Sequence, residues 1–275
     1  IIHPEKTVMT VHDIAAARFP DSYNFFEKWY SLWSAKWACK NLWKVITPSD
    51  FVKQELVNHF DLGVEKKKIN LIHHGYNKDR LSDVDSSDKA LGKYNIQKPF
   101  LLVLGRIEHK KNILGAVQAF EKLKQNSEFS NMNLVLAGKP GHGYEEIKKN
   151  IKISNFSESI IETGWIDDCD IASLISKSKL VLFSSFYEGF GLPMLESFFC
   201  KTPVVASKGT ALEEVGGNAA IYCNPKDIED IQNKIEKILG DEELYRKKIK
   251  LGKQKLSEFD WKSSAQKTAK VLLSK

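Results

Sequence analysis

Tyr187-Glu188-Gly189-Phe190-Gly191-Leu192-Pro193-Met194-Leu195-Glu196, preceded by the apolar run Leu180-Val181-Leu182-Phe183, is the stretch that decides the fold. The apolar run is too short for an ordinary helix and rich in β-formers, so it reads as a buried parallel strand. Gly189 and Gly191 let the backbone approach a ligand with no Cβ in the way, and Pro193 suits the first helical turn, where its missing N–H would be unpaired anyway. The expected unit is strand, tight glycine loop, helix. It presents free N–H groups and the positive end of a helix dipole at the carboxyl edge of a sheet, where phosphates bind. Glu188 before the loop and Glu196 about one turn into the helix can face one cleft and accept hydroxyl hydrogen bonds. A sugar joined to a nucleotide diphosphate carries this mixture of groups.

The flanking segments extend the same alternation. A strand over 99–104 leads into Gly105-Arg106-Ile107-Glu108-His109-Lys110-Lys111-Asn112. Arg106 offers a planar fork for phosphate oxygens and Lys111 a mobile point charge, both between a strand end and a helix over 113–125; an exposed basic loop is the plainer alternative. That helix places Leu114, Val117, Phe120 and Leu123 on one side, as a helix covering a sheet should. A strand over 133–137 ends in Gly138, and a strand over 159–162 reaches Gly164-Trp165-Ile166 after a helix over 144–152. Asp168-Cys169-Asp170 has the form of the Asp-x-Asp metal signature but reads as a helix cap, because the opening glycine loop already supplies the positive charge a metal would bring. Val204-Val205-Ala206 and Ala220-Ile221-Tyr222-Cys223 are the next strands, and helices follow over 227–239, 241–257 and 262–273.

The front of the chain is a second, shorter series. A strand over 7–11 runs into His12-Asp13; the site reading competes with Asp13 as a cap and His12 as the partner of a loop carbonyl. A helix over 22–42 carries Phe26, Trp29, Trp33 and Trp37 at helical spacing with Lys36, Lys40 and Lys44 among them. Packing in the core with snorkelling lysines is the simpler expectation, and a membrane surface or lipid-linked acceptor is the alternative. Strands over 43–47 and 68–72 follow, with Ser49 as a helix cap between them. His73 and His74 are not expected to share a metal, since neighbours on a strand point to opposite faces. The polar residues 78–98, with Asp83, Asp85, Ser86, Ser87 and Asp88 in one run, form the expected linker.

Composition narrows the class. The chain has 275 residues, 41 Lys and Arg against 35 Asp and Glu, and a formal charge of +6. That excess is mild and scattered over helix surfaces, so no nucleic-acid partner is expected. Cys39, Cys169, Cys200 and Cys223 lack zinc-site spacing and read as reduced, buried residues of a cytoplasmic protein. No apolar run is long enough to span a bilayer, and the start lacks the pattern of a signal peptide. The chain opens without Met on what reads as an interior strand, so upstream sequence is expected to be missing.

Gly105-Arg106 with Lys111-Asn112, the Gly164-Trp165 turn, Glu188-Gly189-Phe190-Gly191-Leu192-Pro193 with Glu196, and Phe259-Asp260-Trp261 resemble the retaining nucleotide-sugar glycosyltransferases of family four. The resemblance covers 99–275. Val11-His12-Asp13 and Ser49-Asp50-Phe51 resemble the amino-terminal domain of its bacterial mannosyltransferase-like branch. The implied fold is α/β with GT-B architecture. It comprises a partial N-terminal Rossmann-like domain over 1–77, a linker over 78–98, a complete C-terminal nucleotide-sugar domain over 99–258 and a crossover helix over 259–275.

The resemblance also implies an activity and a site. A hexose of mannose or glucose type would pass from a GDP- or UDP-linked donor to a glycan or lipid-linked acceptor in cell-surface polysaccharide synthesis. Arg106 and Lys111 would clamp the diphosphate, Glu188 would hold sugar hydroxyls, Glu196 the ribose, and His12 would approach the sugar from the facing domain. Gly105, Gly138, Ile166, Gly189, Phe190, Gly191 and Leu192 would complete the donor site, with neither metal nor cofactor. No second carboxylate stands as a covalent nucleophile, so same-face attack with retention is expected. The location read from the residues themselves is cytoplasmic, with peripheral contact at the inner membrane face through 22–44 as the alternative to core packing of that helix. A donor-binding or regulatory subunit, needing a partner chain to complete its acceptor site, is the alternative.

Overall fold

The structure, a computed structural model, describes residues 4–82 and 87–274. Asp83, Asp85 and Ser86 of the expected linker lie outside the described residues. The first lobe runs β1 (Val8–Thr10), α1 (Ala15–Arg18), α2 (Phe25–Asn41), β2 (Lys44–Thr47), α3 (Asp50–Phe60) and β3 (Ile69–Leu71). Two short helices, α4 (Lys78–Ser82) and α5 (Lys89–Lys93), lead to the second lobe. There β4 (Phe100–Leu104), α6 (Ile113–Lys124), β5 (Asn133–Ala137), α7 (Tyr144–Ile153), β6 (Ile160–Gly164), α8 (Asp168–Lys177) and β7 (Leu180–Phe183) alternate. The series closes with α9 (Leu192–Phe199), β8 (Val204–Ser207), α10 (Ala211–Gly216), β9 (Ile221–Cys223), α11 (Ile228–Gly240), α12 (Glu242–Lys255) and α13 (Trp261–Leu273).

All described strand pairs are parallel, in a three-stranded sheet β1-β2-β3 and a six-stranded sheet β6-β5-β4-β7-β8-β9. Helical crossovers leave both faces of the larger sheet covered, which is why β4, β7 and β8 are buried from end to end and apolar save for Ser207. Alternate residues serve opposite layers. Phe100, Leu102 and Leu104 join one core with Met194 and Phe198, whereas Leu101 and Val103 join the other with Phe120 and Ile235. Leu81, Ala90 and Leu91 of α4 and α5 are buried in the first of these cores.

Three sequence expectations are corrected. The spacing of Phe26, Trp29 and Trp33 predicts core packing, but these rings are exposed on α2, and Ala35, Ala38 and Cys39 meet the sheet instead. Helical periodicity fixes which residues share a face but not whether that face turns inward. Cys169 is exposed rather than buried, while Cys39 and Cys223 are buried as expected. No side chain caps α8: Asp168 and Asp170 lie within its first turn, and Asp170 accepts from the Tyr94 hydroxyl at 2.9 Å.

Candidate active site

The strand order of the larger sheet places β5 and β6 on one side of β4 and β7 to β9 on the other. Crossovers leaving β4 and β7 therefore diverge to opposite sides, and a crevice opens beyond their carboxyl ends. The basic loop after β4 and the glycine loop after β7 face each other there. Lys111 Nζ lies 2.5 Å from Glu188 Oε1, and Ser185 Oγ donates to the same oxygen at 2.7 Å. Asn112 anchors this arrangement from the left-handed region at φ 53°, its Nδ2 donating to Ser184 O at 3.0 Å and Pro225 O at 2.7 Å. Arg106 is exposed, with Nε 3.9 Å from Glu108 Oε2. Both cations thus stand on a loop fixed by buried hydrogen bonds.

Beside them is a cavity of about 520 Å³ lined by Gly105, Arg106, Gly138, Ile166, Pro193 and Glu196, with Arg80, Lys139 and Trp165 at its edges. A Cβ on Gly138 would lie 1.8 Å from Gly105 O, so only glycine lets the two strand-end loops meet. Lys139 Nζ sits 4.7 Å from the centre of the exposed Trp165 ring. Burial pushes the Glu196 carboxyl above its ordinary range, and Arg80 offsets part of that shift. Arg80 is one residue that sequence reasoning missed. Its guanidinium lies 3.6 Å from Glu196 and 3.7 Å from Asp168, and its buried Nε has no hydrogen-bond partner. It falls in a segment read only as polar linker, and no local motif marks it.

The glycines of the opening loop do different work. Gly191 adopts φ 101° and caps α9 from the left-handed region, which favours glycine. A Cβ on Gly189 would come within 2.7 Å of His12 O and 2.9 Å of Asp13 Cβ, so the close approach it permits here is by the facing lobe. Leu192 opens α9 exposed, whereas the Phe190 ring is buried against His73, His74 and Phe259, and neither lines the cavity. His12 is exposed across the cleft, outside the cavity lining, with Nδ1 3.2 Å from His74 Nε2. Burial, then His12 and His73, lower the His74 pKa to about 4.

A second missed residue, Glu214, ties the lobes together. Its carboxylate accepts from the backbone N–H of Asp50 at 2.8 Å and Phe51 at 3.2 Å, and meets His73 Nε2 at 2.8 Å. It caps α3 from the other lobe, beside Ser49 Oγ donating to Gly189 O at 2.7 Å. Burial raises the Glu214 pKa, and the His73 and backbone hydrogen bonds outweigh it to leave the group below its ordinary value. Among the described residues no group of three or more His, Cys, Asp or Glu could hold a metal ion.

Two parallel Rossmann-like sheets facing across a cleft define the GT-B class of transferase. Residues 86–255 match the family described as Glycosyl transferases group 1, and residues 2–80 match Glycosyltransferase Family 4. The chain belongs to the group 1 glycosyl transferases. It is 28% identical over 272 residues to the O-antigen chain mannosyltransferase B of Escherichia coli, covering 96% of this chain and 69% of that protein. Over 175 residues it is 35% identical to the serotype-specific mannosyltransferase WbdA of E. coli, covering 63% of this chain and 21% of that much longer one. In fold it is similar to Anabaena HepE, solved in complex with UDP and glucose, at a TM-score of 0.79 and 20% identity over 98% of this chain and 71% of that one.

Proposed function

We propose that this chain transfers a mannosyl or closely related hexosyl group from a nucleotide diphosphate sugar to a glycan or lipid-linked acceptor, with retention and without a metal. The observation that carries the reading is the pairing of Lys111 with Glu188 at the strand-end crevice, beside the outward-reaching Arg106 and a cavity ending in Glu196. Departure of the nucleoside diphosphate builds negative charge on the leaving oxygen and positive charge on the sugar. Arg106 and Lys111 stabilise the first, together with the dipole of α9. Glu188 holds sugar hydroxyls, Glu196 the ribose, and Arg80 sits where it reaches the nucleoside. The acceptor oxygen attacks the anomeric carbon on the face the diphosphate leaves, the C–O bond electrons pass to the phosphate oxygen, and that oxygen takes the acceptor's proton. His12 closes the sugar side from the first lobe.

The mannosyl assignment is supported by the O-antigen mannosyltransferase relatives, and the nucleotide donor by the UDP complex of the HepE fold relative. NMR of the product formed from GDP-mannose or UDP-glucose is the test. An α-linked product is expected from either α-linked donor, and an inverted anomer overturns the mechanism.

A further inference from the structure

We infer that the outer face of α2 is a docking surface for an anionic lipid bilayer. Five large aromatic side chains stand open to solvent within nine positions: Phe25 at 70%, Phe26 at 77%, Trp29 at 53%, Tyr30 at 62% and Trp33 at 37% exposure. At about 100° per residue these share one side of the helix, and Ala35, Ala38 and Cys39, which pack on the sheet, share the other. The helix therefore has two apolar faces. The small-residue face already serves the core, so the aromatic face needs something outside this layer. A cluster of this size on a folded surface marks an interaction site.

Charge and ring geometry select the occupant. Lys36 and Lys40 are exposed on the aromatic side, and Lys68 Nζ donates to Lys40 O at 3.1 Å. That bond sets the Val64–Lys68 turn, with exposed Lys66 and Lys67, against the end of the helix. The nearby carboxylate of Glu27 is turned back to accept from Asn24 N–H at 3.1 Å. Trp and Tyr rings flanked by lysines suit the headgroup level of a membrane, where rings enter the acyl boundary and ammonium groups meet lipid phosphates. A second copy of this face would bring lysines against lysines. A glycan would need free ring faces, but Trp29 and Trp33 stack on each other at 5.7 Å and 10°, and Trp33 and Trp37 at 6.3 Å and 25°. No helix among the described residues is long and apolar enough to cross a membrane, so the contact lies in the interfacial plane.

Flotation with vesicles of 30% phosphatidylglycerol in phosphatidylcholine tests this directly. The protein should co-float with these vesicles and at least fivefold less with pure phosphatidylcholine. Trp29→Ser with Trp33→Ser should lower the bound fraction at least tenfold. Lys36→Glu with Lys40→Glu should do so while keeping every aromatic ring. Both variants alter exposed side chains, and unchanged circular dichroism and melting temperature confirm that they fold. No co-flotation of the unaltered protein, or equal binding by the folded variants, overturns the proposal. So does concentration-dependent dimerisation abolished by the tryptophan variant without vesicle binding, because a second copy then covers the face.

Discussion

The two lobes put their aromatic and charged residues to opposite uses. In the six-stranded lobe most large apolar groups are enclosed between sheet and helices, and Arg106, Lys111 and Glu188 gather at the carboxyl ends of β4 and β7. In the three-stranded lobe α2 encloses alanines and a cysteine, packs Trp37 partly against them, and shows Trp29 and Trp33 to solvent. On the proposed reading the larger lobe is built to hold a small anionic ligand, and buried Asn112 anchors the loop that carries its cations. The smaller lobe presents surfaces, one toward the facing loop through His12 and Ser49 and one outward along α2.

The comparison breaks first at the cations. Lys111→Ala or Arg106→Ala should each lower turnover on the order of a hundredfold, about 3 kcal/mol of barrier, measured as kcat with a nucleotide-sugar donor. An effect below a few-fold would mean that the crevice of the larger lobe is not where the diphosphate leaves. Next in size is the tie between lobes. Glu214→Ala removes a cap shared by Asp50 and Phe51 and should cost about 1 kcal/mol of stability by urea denaturation. Glu214→Gln, which keeps an acceptor, should cost less.

These two expectations also mark what the sequence made legible. The strand-loop-helix unit at 180–199 and the basic loop after β4 could be read because glycine, proline and apolar runs act locally, and their geometry hardly depends on distant contacts. Glu214 could not be read, since its role exists only when α10 meets α3 across 163 residues of chain. Arg80 was hidden for the same reason, and so was the use of Gly189 to admit His12 and Asp13. The α2 aromatics failed differently: their spacing is correct for a helix, but a stripe of tryptophans looks the same facing a core or a membrane.

A pH-dependent effect distinguishes the histidine pair at the lobe junction. Burial, then His12 and His73, lower the His74 pKa from 6.5 to about 4, so the unfolded chain binds a proton that the folded chain refuses between those values. Stability should therefore fall as pH drops from 6.5 toward 4, and His74→Gln should flatten that part of a urea-midpoint profile. The smallest effect belongs to α2. Trp29→Ser with Trp33→Ser should change stability by no more than about 0.5 kcal/mol per site, because exposed side chains contribute little to the core. A large loss would place those rings in the fold rather than on a surface.

The most direct test is calorimetric titration of GDP and UDP into the unaltered chain and into the Arg106→Ala, Lys111→Ala double variant. At least one nucleotide should bind the unaltered chain, and the double variant should lose a hundredfold or more in affinity. Equal affinity in both proteins would contradict the assignment of the β4–β7 crevice as the diphosphate site.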